Sequence, residues 1–232
     1  MICLKIILSC NKIVYMKKKI IALLVIPPLL ISCNQKLPKP EITTGIRGAQ
    51  FGIDKNINEE TIDKYLNRDD VVYRDMRMLI DPANYSAIGG DSYLSGIVEG
   101  FEVVPLPYLI PVKNLPPEVG NTYSGETLFS LNEDNHYVEN YQESLSIVEN
   151  LFPKNKAIFL MCGGGGYASF AKSFLIDIGY DKDKIYNVGG YWYYNGKHSI
   201  NIKKVDENGN VSYDFDKLIY HDLSDFSTLT RL

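Results

Sequence analysis

The chain has 232 residues, 45% of them hydrophobic and 22% charged, an ordinary globular composition that supplies one good core and a small appendage. Two large domains do not fit in that length. The formal net charge of −4 argues against nucleic acid and against a polybasic grip on anionic lipid, both of which need clustered Lys and Arg.

Lys17, Lys18 and Lys19 precede a short apolar run from Ile20 to Ile31, and Ser32 and Cys33 follow it. That order reads as a signal peptide over residues 1–32. The run is short for a membrane span and contains Pro27 and Pro28. Leu30-Ile31-Ser32-Cys33 resembles the lipobox of bacterial lipoproteins, which implies cleavage before Cys33, acyl chains such as palmitate on that residue, and a lipid-anchored, extracytoplasmic place at the cell membrane. Leu8-Ser9-Cys10 is a poorer copy of the pattern, so Met16 is the expected true start. Removing residues 1–32 takes away five lysines and no acidic residue, leaving 19 basic against 28 acidic side chains. Cys3 and Cys10 go with the preface and Cys33 takes the lipid. Cys162 is then the one thiol left, without a disulfide partner.

Residues 33–56, with Pro38, Pro40, Thr43 and Thr44, read as a lipidated N-terminus and flexible tether. Asn58, Glu59 and Glu60 look like a capped helix start with Ile62 and Leu66 on its apolar face. Val71-Val72-Tyr73 reads as a buried strand ending at Asp75 and Arg77. From Asp81 to Asn135, Pro105, Pro107, Pro111, Pro116 and Pro117 break any long element, and long loops with a short strand near Val103-Val104 are predicted. Val138, Tyr141, Leu145, Val148 and Phe152 share the spacing of one helix face. Ala157 to Met161 is a continuous apolar run typical of a central parallel strand. Ala171, Phe174, Leu175 and Ile178 mark a second helix, ended by Gly179, before a strand at Ile185–Val188. From His198, β-type segments flank Asn208-Gly209, a favoured hairpin turn, so residues 197–232 are predicted as a C-terminal hairpin extension. The alternation predicts an α/β fold, a central parallel sheet flanked by helices, with ligands at the carboxyl ends of its strands.

Cys162-Gly163-Gly164-Gly165-Gly166-Tyr167 lies between the buried strand and the helix. Four glycines let backbone N–H groups turn toward a common centre above the sulfur, and the helix adds the positive end of its dipole. Both effects predict a cysteine held toward its thiolate.

This loop and the helix through Gly179-Tyr180 resemble the active-site segment of rhodanese-like domains. Asp75-Met76-Arg77 resembles that family's Asp-x-Arg element. Gly96-Ile97-Val98-Glu99-Gly100 is similar to its Gly-His-Ile-x-Gly segment, with Pro105 following, and Asn187-Val188-Gly189-Gly190-Tyr191-Trp192 is similar to its closing Gly-Gly-aromatic element. The resemblance spans roughly 120 residues within a domain over 57–196 and implies a sulfurtransferase without a cofactor. Cys162 would be the nucleophile that carries sulfur as a persulfide. The amides of Gly163, Gly164, Gly165, Gly166 and Tyr167 would bind a small sulfur-containing anion, a thiol would accept the sulfur, and Asp75 and Arg77 would support the site. Active family members commonly have Arg where Gly163 stands, Arg, Lys or Thr where Tyr167 stands, and His where Ile97 stands. A glycine cannot supply the bidentate grip of Arg on a dianion.

Two other readings stand beside it. A phosphatase or arsenate reductase needs an Arg where Ala168 lies, and ranks below sulfur transfer. A catalytically inactive binding module could present Tyr191-Trp192-Tyr193-Tyr194 as a contact patch, although core packing of part of that cluster is the simpler expectation. His136, His198 and His221 show neither metal-ligand spacing nor a carboxylate pattern in the sequence, so no metal is predicted.

Overall fold

The computed structural model describes residues 36–232, which form one compact unit. The segment expected to be a signal peptide, the expected start at Met16 and the expected anchor at Cys33 lie outside the described residues.

In chain order the elements are α1 (Ile46–Phe51), β1 (Val71–Asp75), β2 (Gly96–Val98), β3 (Glu102–Val103), α2 (Leu106–Leu109), β4 (Phe129–Leu131) and β5 (Tyr137–Glu139). They continue with α3 (Ser144–Leu151), β6 (Ala157–Cys162), α4 (Gly166–Asp177), β7 (Ile185–Gly190), β8 (Ser199–Asn201), β9 (Lys203–Val205) and β10 (Val211–Tyr213). The centre is a four-stranded, all-parallel sheet in the order β3-β1-β6-β7, flanked by helices. The apolar run that predicts a central strand is β6, and every one of its residues is buried.

Alternation along the strands divides the core. Val72, Ile158 and Leu160 face the side that packs Leu106 and Leu109 of α2, Val148 and Leu151 of α3, and Ala171, Phe174 and Leu175 of α4. Val71, Tyr73, Phe159, Met161 and Val188 face the other side, covered by Ile57, Ile62 and the antiparallel pair of β2 with β8.

Four expectations need correction. Residues 36–56 are not a tether. Thr43 N donates to Ile53 O at 3.0 Å, the Tyr186 hydroxyl donates to Pro38 O at 2.7 Å, and Ile53 is buried, so backbone pairing and apolar burial fix this segment on the domain. The helix expected from Asn58 is a single 3-10 turn, Ile62–Lys64, because the Thr61 hydroxyl bonds back to Asn56 O at 2.8 Å and Asn67 takes a left-handed conformation. The helical stripe begins only at Ser144. Val138 is exposed on β5, which pairs with β4, so backbone pairing overrides a spacing that fits helix.

The stretch after Lys197 is not a simple appendage. β8 pairs with β2, while β9 and β10 pair with each other around Gly209. The tail then returns to the sheet. Val103 N donates to Ile219 O at 2.8 Å and His221 N to Val103 O at 2.9 Å, which covers the open edge of β3. Phe226 is buried with Tyr141 in the helical-side core.

Candidate functional site

Cys162 is the last residue of β6, at the carboxyl end of the central sheet, and α4 starts at Gly166. The intervening loop is tightly enclosed. A Cβ on Gly163 would lie 2.6 Å from Cε2 of Trp192, and one on Gly190 would lie 2.7 Å from the Gly164 Cα. Gly165 adopts φ +105°, a conformation that costs other residues of order 1–3 kcal/mol. The glycines therefore serve close packing under an indole as much as amide presentation.

The Gly165 amide donates to Cys162 Sγ at 3.1 Å, and the Ala168 amide also bonds to the sulfur. Of the five amides predicted to cradle the site, those of Gly163, Gly164, Gly166 and Tyr167 are not the ones bonded to Sγ; Ala168, one residue further into α4, is. The loop carbonyls are tied down. Gly163 O accepts from Trp192 N at 3.0 Å, Gly164 O from Arg47 Nη1 at 3.1 Å, and Gly165 O from Asn187 Nδ2 at 3.0 Å. Arg47 is itself paired with Glu59.

Cys162 is the free cysteine of the described residues and is 3% exposed. Burial pushes its thiol above the ordinary cysteine value; the amides of Ala168 and Gly165 pull the other way, Asp75 adds to the rise and Arg77 opposes it. This corrects the expected preformed thiolate: at this depth the cost of desolvating a charge exceeds what the Ala168 and Gly165 amides and Arg77 return, and the resting group is the thiol.

Asp75 and Arg77 form a buried, forked ion pair, with Arg77 Nη2 2.6 Å from Asp75 Oδ2 and Nε 2.9 Å from Oδ1. Arg77 Nη2 also donates to Gly96 O at 2.7 Å, while Nη1 is buried without a hydrogen-bond partner. Burial would favour the neutral guanidine, but Asp75 outweighs it and holds Arg77 charged. The guanidinium lies 4.8 Å from the centre of the Tyr191 ring.

Above Cys162 opens a cavity of about 430 Å³, walled by Arg77, Asp81, Tyr85, Tyr167, Phe170 and Trp192 among others. The side chain of Tyr167 turns into this space. Its hydroxyl donates to Asp81 Oδ2 at 2.8 Å and accepts from Tyr85 at 2.8 Å, and Asp81 Oδ1 accepts from the Thr122 hydroxyl at 2.7 Å. Burial first, and the Asp81 charge second, raise both tyrosines well above the usual phenol range, so they remain donors. Asp81, Tyr85 and Thr122 come from the proline-broken stretch, and Asp81-Pro82 is the only local mark of this turn in the sequence.

The aromatic run after β7 is not one exposed patch. Trp192 covers Gly163 and Gly164 and lies 5.6 Å from Tyr85, Tyr191 faces Arg77, and Tyr194 donates to Asp63 at 2.6 Å; Tyr193 is exposed beneath Arg47. Ile97 is buried in β2. Contrary to the absence of a carboxylate pattern, His136, His198 and His221 each pair with a carboxylate remote in sequence, Asp177, Glu99 and Glu102. Among the described residues no group of three or more His, Cys, Asp or Glu could hold a metal ion, and no helix is long and apolar enough to cross a membrane. Set against known proteins, the chain matches no family model, no curated protein and no solved structure.

Proposed function

We propose that this chain is a rhodanese-like sulfurtransferase that carries a sulfane sulfur as a Cys162 persulfide at the cell envelope. The observation that carries this reading is the Cys162 sulfur at the carboxyl end of a central parallel strand, bonded by the Gly165 amide at 3.1 Å beneath an open cavity. Cys162 gives up its proton to water in the open cavity and attacks the outer sulfur of a donor. With thiosulfate the donor S–S bond breaks, sulfite leaves with the bonding pair, and the new S–S bond holds the sulfane sulfur on Cys162. A nucleophilic acceptor then takes that sulfur and returns the thiol. The Ala168 and Gly165 amides favour the anionic forms along this path, and Arg77 offsets part of the opposition from Asp75.

The test is to incubate the protein with polysulfide or thiosulfate and read the mass of the Cys162 peptide. One added sulfur atom, discharged as thiocyanate by cyanide and absent from Cys162→Ala, is the expected result. No adduct from any sulfane donor overturns it and leaves the second reading, a non-catalytic binding module, which the depth of Cys162 and its raised thiol favour. The envelope location rests on the lipobox-like segment ending at Cys33; labelling with an alkyne-bearing palmitate in a bacterial host should mark the wild-type chain and not Cys33→Ser.

A further inference from the structure

The cavity above Cys162 is built for a different partner from a small inorganic dianion. Its volume of about 430 Å³ falls in the range of roughly 300–1,000 Å³ that takes organic molecules of some size. Its walls are Tyr85, Tyr93, Leu115, Phe170, Trp192 and Tyr193, joined by two prolines. Among the described residues that line it, Arg77 is the one basic side chain, and Asp75 already neutralises it, while Asp81 and Asp91 bring negative charge to the wall. A dianion entering this space meets repulsion and loses hydration without a free cation in return. An apolar body gains by burying its surface against the rings.

Resting on the sulfurtransferase reading, we infer that the sulfur donor is an organic hydrodisulfide, R–S–SH, whose apolar R group occupies this cavity. Transfer is balanced without an added oxidant. The Cys162 sulfur attacks the outer sulfur, the donor S–S bond breaks as the new one forms, and the thiol proton passes to the departing R–S⁻ group. The products are the Cys162 persulfide and R–SH. The aromatic walls hold R, and the Gly165 amide, bonded to the Cys162 sulfur at 3.1 Å, favours negative charge there as it moves from one sulfur to the other.

Two measurements separate this inference from the reading beneath it. Trp192 is the single tryptophan of the chain, so its fluorescence reports on the cavity without any chemistry. Benzyl mercaptan, the thiol product, is expected to shift the emission of the Cys162→Ala protein saturably, and Phe170→Ala in that background should weaken the binding. Separately, benzyl hydrodisulfide should load wild-type Cys162 at least about tenfold faster than thiosulfate, the discrimination that an apolar pocket typically gives. Leu115→Arg, a substitution on a partly exposed loop, should narrow or reverse that ratio by bringing a cation to the wall. Loading by thiosulfate as fast as by the benzyl donor, with no saturable fluorescence change, overturns the inference and leaves the sulfurtransferase reading intact. A saturable fluorescence change with no sulfur loaded from any donor keeps the apolar site and overturns the sulfurtransferase reading and the transfer step built on it.

Discussion

Cys162 sits between opposing influences. Burial drives the thiol up and Asp75 reinforces it, while the Ala168 and Gly165 amides and Arg77 pull it down, and the rise wins. The thiolate, not the thiol, attacks alkylating reagents. The rate of Cys162 alkylation by iodoacetamide is therefore expected to keep climbing with pH beyond the ordinary thiol value of about 8.5. Limited access lowers the height of that profile and not its midpoint. Asp75→Asn removes the negative charge that opposes ionisation, so its profile should move to lower pH. The same substitution strands a buried guanidinium, and breaking a buried pair this way costs about 3–5 kcal/mol. A denaturant titration beside the alkylation series measures both effects. A mutant profile that stays put or moves to higher pH would show that Asp75 does not reach the sulfur electrostatically.

At the level of elements, the end of β7 and the loop after β6 lie backbone against backbone. Gly190 is the contact. A methyl group there runs into Gly163 O and lies 2.7 Å from the Gly164 Cα, and backbone cannot swing aside as a flexible side chain can. Gly190→Ala is expected to cost about 1–3 kcal/mol by overpacking, and to loosen the bond between Trp192 N and Gly163 O. Gly179→Ala, at φ +91° with open space around it, should cost only the backbone term of about 1–2 kcal/mol. Thermal unfolding compares the two, and Trp192 emission should change for Gly190→Ala alone. These two elements, with β1 and α4, are also the legible part of the sequence, because continuous apolar runs and a glycine stop leave little choice of structure. Tyr137–Glu139 was illegible for the opposite reason. Val138 keeps helical spacing with Tyr141 and Leu145, and only the pairing of β5 with β4, a tertiary fact, makes it strand. In the site, Cys162 and the Asp75–Arg77 pair could be read from local pattern. Asp81, Tyr85 and Thr122 could not, since a hydrogen-bonded chain that joins residues up to 86 apart leaves no periodicity to detect.

Across the whole molecule, α2, α3 and α4 pack on one face of the sheet, Ile57, Ile62 and the β2–β8 pair cover the other, and the C-terminal tail closes the β3 edge. This arrangement divides the last 30 or so residues into two classes. The β9–β10 pair lies in solvent, with Val205 61% and Val211 50% exposed. The tail beyond it covers the edge of β3 and places Phe226, 6% exposed, in the core that also packs α3 and α4. Phe226 stacks on Tyr141 at 5.7 Å, and the neighbouring Leu223 and Leu229 pack against the same cluster. Phe226→Ala leaves a cavity at this junction and should cost about 3–5 kcal/mol. Val211→Ser on the exposed pair should stay within about 0.5 kcal/mol of wild type. Urea unfolding of both variants decides the matter. If Phe226→Ala unfolds with the wild-type midpoint, the tail is an accessory strap; if it shows the full loss in a single transition, the chain after Lys197 belongs to the same cooperative unit as Cys162 and its loop.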